Sequence, residues 1–154
     1  MKKIDLSDLI QSGQVQKESA IGWDQVERLL KRARQDLISS EKTLSFDEAG
    51  AMDYVYKAMF HAANALLCSH GFRPGATRQH IGVIEATERI LGSDAKTLIL
   101  KFDRLRKRRN QFEYQGVFEM GKQELLDALE QAKQLVTIIR KVLEDAHPQK
   151  HFDW

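Results

Sequence analysis

Cys68 is the single cysteine in a sequence of 154 residues. That excludes an intrachain disulfide and any zinc cluster built on cysteines. Cys68 lies in the apolar run Ala65-Leu66-Leu67-Cys68 and reads as a small buried hydrophobe. Proline is nearly as scarce, with Pro74 and Pro148 the only two. The stretch between them is free of the residue that breaks helices most strongly. No apolar run approaches the length of a membrane span, so no membrane association is expected. Met1-Lys2-Lys3 leads into Asp5, Ser7 and Asp8 rather than the apolar core of a secretory signal, so a cytoplasmic location is expected. No segment shows the alternation of a half-buried strand. A glycine-rich phosphate loop and a His-Glu-x-x-His pair are both missing. The histidines are His61, His70, His80, His147 and His151, and no two share one element at ligand spacing. Neither a metal nor a cofactor is therefore expected. The net charge of +2 is too small to argue for nucleic acid by itself.

What is present is helical periodicity. Val26, Leu29, Leu30, Ala33 and Leu37 make the stripe of a helix over about 23–43, with Arg28, Lys31, Arg32 and Arg34 on its other faces. A second helix runs from about Asp47 to His70, with Ser45 or Asp47 as its N-cap. Its apolar surface is wide, with Met52, Tyr56, Met59 and Ala63 beside Val55, Ala58, Ala62 and Ala65. A helix of that kind packs against several neighbours. Gly71 ends it, and 71–77 reads as a loop. Thr77 is placed to cap a shorter helix containing Ile81, Ile84, Ile90 and Leu91, which Gly92-Ser93 breaks. A fourth long segment starts near Asp94 and ends at Gly116. A fifth runs over about 122–146. The fold class is all-α: an up-and-down four-helix bundle with one additional short helix. Residues 1–22 read as an N-terminal arm or linker, 23–146 as the bundle and 147–154 as a tail. His70, near a helix C-terminus, reads as a dipole contact, and His61 as a satisfied core or interface histidine.

The densest basic run is 101–114, Lys-Phe-Asp-Arg-Leu-Arg-Lys-Arg-Arg-Asn-Gln-Phe-Glu-Tyr. Phe102, Leu105 and Phe112 define its apolar stripe, and Arg109 falls on that stripe. A bare charge there is costly to bury without a partner. Glu113, four residues on, is placed to orient Arg109 by an ion pair. Arg106, Asn110 and Tyr114 share another face. Arg104, Arg106, Arg108 and Arg109 together suit an anionic phosphate ligand, and a solvated face is the plainer reading of Arg104, Lys107 and Arg108.

Two blocks carry a family resemblance. Tyr54-Val55-Tyr56-Lys57-Ala58-Met59-Phe60-His61-Ala62-Ala63-Asn64-Ala65-Leu66-Leu67, followed by Gly71-Phe72-Arg73-Pro74, resembles the second helix and following loop of HEPN domains (higher eukaryotes and prokaryotes nucleotide-binding). Arg109-Asn110 sits where that family carries its signature. The resemblance spans about Trp23 to Ala146 and implies a helical bundle that dimerises. Active members carry an arginine, usually a polar residue next, and a histidine after four to six intervening positions. Two such motifs face each other across the dimer cleft and cleave RNA without metal. Many prokaryotic members are encoded beside a minimal nucleotidyltransferase and act with it as toxin and antitoxin. Mapped residue by residue, the resemblance implies Arg109, Asn110 and Tyr114 as the catalytic set, with Tyr114 standing where the histidine belongs. No histidine lies between Asn110 and Met120. An unperturbed tyrosine titrates near pH 10, whereas histidine exchanges protons near neutrality.

Three functions are compatible with these residues. The first is the RNA- or nucleotide-phosphate-binding component of a HEPN/nucleotidyltransferase toxin–antitoxin module, with metal-independent RNA cleavage at a homodimer cleft. The second is a non-catalytic dimeric module that binds a nucleotide or presents a substrate to the nucleotidyltransferase, with Tyr114 as contact or acceptor. The third is a structural interaction bundle.

Overall fold

The computed structural model describes residues 4–18, 22–149 and 152. Met1-Lys2-Lys3, residues 19–21 and the tail residues Lys150, His151, Asp153 and Trp154 lie outside them. The elements run α1 (Ser7–Gln11), β1 (Val15–Lys17), α2 (Trp23–Thr43), α3 (Glu48–Ser69), β2 (Phe72–Pro74), α4 (Gln79–Leu91), a 3-10 turn (Ser93–Ala95), α5 (Lys96–Gln115) and α6 (Lys122–Ala146). The all-α bundle expected from the sequence is the fold found.

The width of the apolar surface on α3 explains its place. It packs against α2, α4, α5 and α6 and so forms the centre of the molecule. Alanines at 51, 58, 62, 63 and 65 are fully buried and allow close helix approach. Asp47 starts α3 as its N-cap, accepting the Gly50 N–H at 2.9 Å. A lost cap of this kind costs about 1 kcal/mol. The α2–α3 hairpin is tied by Ser40, whose buried Oγ donates to the Ala51 carbonyl at 3.0 Å. Gly116 closes α5 in the left-handed conformation at φ +68° and accommodates the turn without a Cβ penalty. On α3 the non-buried positions make one narrow stripe, which includes Asp53, Lys57, Phe60 and His61.

Three local expectations need correcting. The N-terminal segment is not a free arm: Leu6, Leu9 and Val15 are buried in the core. Each such burial is worth roughly 1.5–3 kcal/mol. Arg89 of α4 donates to both carboxylate oxygens of Asp8, at 2.6 and 2.9 Å, and holds Asp8 down at about 2. A strand is present after all. β1 pairs antiparallel with β2 in the register Val15↔Pro74, Gln16↔Arg73 and Lys17↔Phe72. Three-residue strands are too short to show alternation, and β2 falls in what turn chemistry marks as a loop. Gly75 and Gly82 admit this ribbon: a Cβ at Gly75 would run into the Gly13 carbonyl, and one at Gly82 would come within 2.6 Å of the Gln14 Cβ and 2.7 Å of its carbonyl oxygen. Thr77, finally, does not cap α4. Its N–H donates to the Gly13 carbonyl at 3.1 Å, and Arg78 leads into the helix from a left-handed φ of 48°. In the tail, Phe152 is buried against the core.

Candidate phosphate-binding site on helix α5

Helix α5 forms over Lys96–Gln115 with Ile99, Phe102 and Leu105 buried. Arg109 continues that inner face, and its side chain is 21% exposed. The charge is matched from α3. Nε of Arg109 donates to Oδ1 of Asp53 at 2.9 Å, and the guanidinium carbon lies 5.3 Å from the Tyr56 ring centroid. A planar guanidinium over an aromatic face is a favourable and orienting contact. Among the described residues, its two terminal nitrogens make no hydrogen bond. The carboxylate that orients Arg109 is therefore Asp53, from another helix, and not Glu113. Glu113 is exposed and takes no ion pair among the described residues.

Asp53 also accepts from Lys57, at 2.8 Å, one turn along α3. Burial pushes the Asp53 carboxyl up, but the hydrogen bonds from Lys57 and Arg109 outweigh it and leave the group below its ordinary range. Tyr56 lies beneath Arg109 and is almost wholly buried, which drives its hydroxyl well above the ordinary tyrosine range. Its Oη shares a hydrogen bond of 2.8 Å with Nδ1 of His80, from α4. Burial first, and then the positive charges of Arg109 and Arg106, push His80 below its ordinary 6.5. At pH 7 a neutral imidazole thus stands within the field of two arginines. The ring of Phe60 packs on His80 at a centroid distance of 4.6 Å and meets His61 edge-on at 6.4 Å.

His61 is satisfied, as a core or interface histidine should be. Its Nδ1 lies 2.6 Å from Oδ2 of Asp36, a carboxylate that is 0% exposed on α2. Arg32 completes the group: its Nε donates to Oδ1 of Asp36 at 3.0 Å, and a terminal nitrogen lies 2.9 Å from the same oxygen in the ion pair. A buried carboxylate needs partners on both oxygens, and Asp36 has them.

The other basic residues of the run are divided by the helix. Arg106 is 14% exposed and donates to Asp103 at 2.9 Å, and it shares the field of Arg109 at His80. Arg104 and Arg108 lie towards α6, where both reach Glu124, at 3.5 and 3.1 Å. They line a separate open cleft of about 310 Å³ between α5 and α6, with Met120 and Ala128 on its floor. Tyr114 is 83% exposed, and Asn110 is half-buried. The arginines expected to act together therefore fall on two faces.

A match to the model of the HEPN domain covers residues 26–142. The chain belongs to the HEPN domain family. A search of curated proteins returns no match. In this HEPN domain, Asp53, Tyr56 and His80 are the Arg109 neighbours that sequence reasoning missed. Asp53 and Lys57 do carry a signal, a carboxylate and an amine one turn apart on the stripe of α3 left out of the core. His80 has none, since only the folding of α4 against α3 brings it near. No group of three or more histidine, cysteine, aspartate or glutamate side chains among the described residues is arranged to hold a metal ion. No helix among the described residues is long and apolar enough to cross a membrane.

Proposed function

We propose that this protein is the RNA- or nucleotide-phosphate-binding HEPN component of a HEPN/nucleotidyltransferase toxin–antitoxin module, acting as a homodimer whose cleft is lined by Arg109 and Arg106. The observation that carries the reading is Arg109 itself. It is fixed by Asp53 through Nε alone and braced on Tyr56, and its terminal nitrogens remain available. That geometry suits a forked contact to phosphate oxygens. Asn110, half-buried one residue on, assists as a polar hydrogen-bonding group.

Fluorescence anisotropy with labelled single-stranded RNA, at about 50 and 200 mM salt, tests the binding. Arg109→Ala is expected to weaken it about tenfold, with the helical circular dichroism unchanged. Wild-type affinity in Arg109→Ala, with loss in Arg104→Ala or Arg108→Ala, would move the site to the α6 side and end this reading. Size-exclusion chromatography with multi-angle scattering tests the homodimer, and a monomeric mass removes the shared cleft.

Tyr114 favours the second reading at one point. An aromatic phenol that is 83% exposed, at the end of the helix carrying Arg109, is open to a partner enzyme. In that reading the module presents Tyr114 to its nucleotidyltransferase as contact or nucleotide acceptor. Co-expression with the nucleotidyltransferase and intact-mass measurement decides it. A nucleotide adduct absent from Tyr114→Phe supports presentation, and separate elution with no adduct removes it.

A further inference from the structure

We infer that the cleft between α5 and α6 is a small-molecule site for an anion carried on a flat, apolar ring whose far edge donates hydrogen bonds. The cleft lies apart from the Arg109 site and does not depend on the phosphate-binding reading above. A helical residue turns about 100° from the one before, so Asn110, nine positions after Lys101, faces the opposite side of α5. The shape of the cleft comes first. α5 and α6 are joined by the short link 116–121 and run antiparallel. One end is closed where Oε1 of Glu124 meets terminal nitrogens of Arg108 at 3.1 Å and of Arg104 at 3.5 Å. Lys101 and Gln131 stand at the other end, each two helical turns or about 10 Å away, from Arg108 on α5 and from Glu124 on α6. The volume of about 310 Å³ falls at the lower end of the range of ~300–1,000 Å³ typical of ligand pockets.

The floor and the rim differ in chemistry. Leu105, Met120 and Ala128 are buried beneath the opening and offer only hydrocarbon and a thioether. That surface suits the face of a ring, and the methionine sulfur adds a favourable contact with an aromatic one. The rim is sorted by helix, with cations on α5 and acceptors on α6. Among the described residues the Lys101 ammonium makes no hydrogen bond or ion pair, and Arg104 has only its 3.5 Å approach to Glu124. Oδ1 of Asp127 accepts from Gln123 at 2.9 Å. Among the described residues Oδ2 of Asp127 and the Gln131 amide have no hydrogen-bond partner.

This arrangement selects a whole shape rather than a charge. A phosphate or carboxylate sits on Lys101 and Arg104. The ring lies over Leu105, Met120 and Ala128, and its N–H edge donates to Asp127, with Gln131 beside it to donate or accept. An inorganic anion uses the cations and leaves the apolar floor to water. A neutral ring covers the floor and leaves the cations unused. Two kinds of small molecule combine the parts: a nucleoside monophosphate whose base carries an amino group, and an aromatic amino acid whose ring carries an N–H. They share the anion, the ring and the donor edge, and differ in whether the anion is phosphate or carboxylate.

Isothermal titration calorimetry of the full-length protein tests this, with adenosine 5′-monophosphate as the phosphate probe and tryptophan as the carboxylate probe. Inorganic phosphate and adenosine supply the anion alone and the ring alone. At least one of the two probes is expected to bind at a single site per chain, about tenfold or more tighter than either half. Lys101→Gln and Asp127→Asn are each expected to weaken it about tenfold, the loss of one charge-assisted hydrogen bond. Arg109→Ala should change it by less than about twofold. Ala128→Met fills the floor and should abolish binding without altering any charge. Where that variant melts early, the two rim variants carry the test, since neither Lys101 nor Asp127 is buried. Binding of one probe alone assigns the anion as phosphate or carboxylate, and binding of both supports the shared chemistry. Failure of both overturns the inference. Inorganic phosphate binding as tightly as the ring probes overturns it too, because the cleft is then a patch of cations. Loss in Arg109→Ala with wild-type affinity in Lys101→Gln overturns it by moving the ligand to the α3 side.

Discussion

The two arginine-bearing faces of α5 carry the same kind of charge and differ in what stands opposite. Towards α6, Arg104 and Arg108 converge on the one carboxylate of Glu124, and Arg104 remains 60% exposed. Arg108 is 25% exposed and hydrogen-bonded to that carboxylate, so the exposed Arg104 pair is the weaker of the two, worth about 0–1 kcal/mol. Towards α3, Arg109 is seated on a buried tyrosine and fixed by a half-buried aspartate. The first face is a pair of cations sharing one carboxylate beside an open cleft. The second is a pre-positioned cation. Charge density along the sequence does not separate them, because that distinction is made by the neighbouring helix.

The largest effect is expected from the residue beneath both faces. Phe102 is 0% exposed, and its ring lies 5.6 Å from that of Tyr56. Phe102→Ala should cost about 3–5 kcal/mol in urea unfolding, because it removes a large buried ring and leaves a cavity under α5. RNA binding should fall with it, since the Tyr56 floor loses its support. A loss below about 1 kcal/mol would mean that α5 is held mainly by its polar contacts.

Next comes a substitution that keeps the charge. Lysine is a point charge without the planar fork, so it cannot donate through Nε to Asp53 while lying flat on Tyr56. Arg109→Lys should therefore weaken RNA binding by about tenfold, close to the effect of alanine, while Arg108→Lys should change it by less than about twofold. Equal tolerance of lysine at both positions, measured by the same anisotropy titration, would erase the difference between the faces.

This contrast also marks what the sequence could convey. Helix boundaries at Trp23, Thr43, Lys122 and Ala146 are readable from periodicity, because long amphipathic stripes and few prolines leave little choice. The inward turn of Arg109 is readable too, since it sits on the stripe of Phe102, Leu105 and Phe112. Its partner is not. Glu113 is the nearest carboxylate along the helix, but Asp53, 56 residues earlier in the chain, is the one the fold delivers. The Asp36–His61 contact is hidden for the same reason: Asp36 reads as one more polar position of α2, and only the hairpin with α3 buries it. The β1–β2 ribbon escapes periodicity by its shortness, and depends on the missing Cβ atoms of Gly75 and Gly82.

A smaller effect is expected in the pH dependence of stability on the α3 side. Burial and the arginine field depress His80 in the folded state, so the unfolded chain binds its proton more readily. Stability from this group is fully present above the unfolded value near 6.5 and is lost as pH falls through the lower folded value. Asp53 acts further down. Its depressed carboxyl contributes above the unfolded value near 3.8 and ceases to as pH falls below that through the folded one. Thermal melts of wild type and His80→Gln between about pH 5 and 6.5 should therefore diverge in slope, with the variant flatter. Parallel slopes would mean that His80 is solvated in the folded protein.

The smallest effect on stability belongs to the α6 side, and it sharpens the comparison most. Glu124→Ala removes the one carboxylate that Arg104 and Arg108 share, at a cost of about 0–1 kcal/mol in unfolding. The two freed cations should strengthen RNA binding slightly. They should also steepen its salt dependence by at most about 1.4 in log–log slope, since single strands contribute about 0.7 per phosphate contact. A gain confined to low salt, and equal for every RNA sequence, marks a purely electrostatic face. A gain larger than the loss seen in Arg109→Ala would instead make the α5–α6 cleft the principal RNA surface, because the two arginines that share Glu124 would then outperform the one held in place by Asp53 and Tyr56.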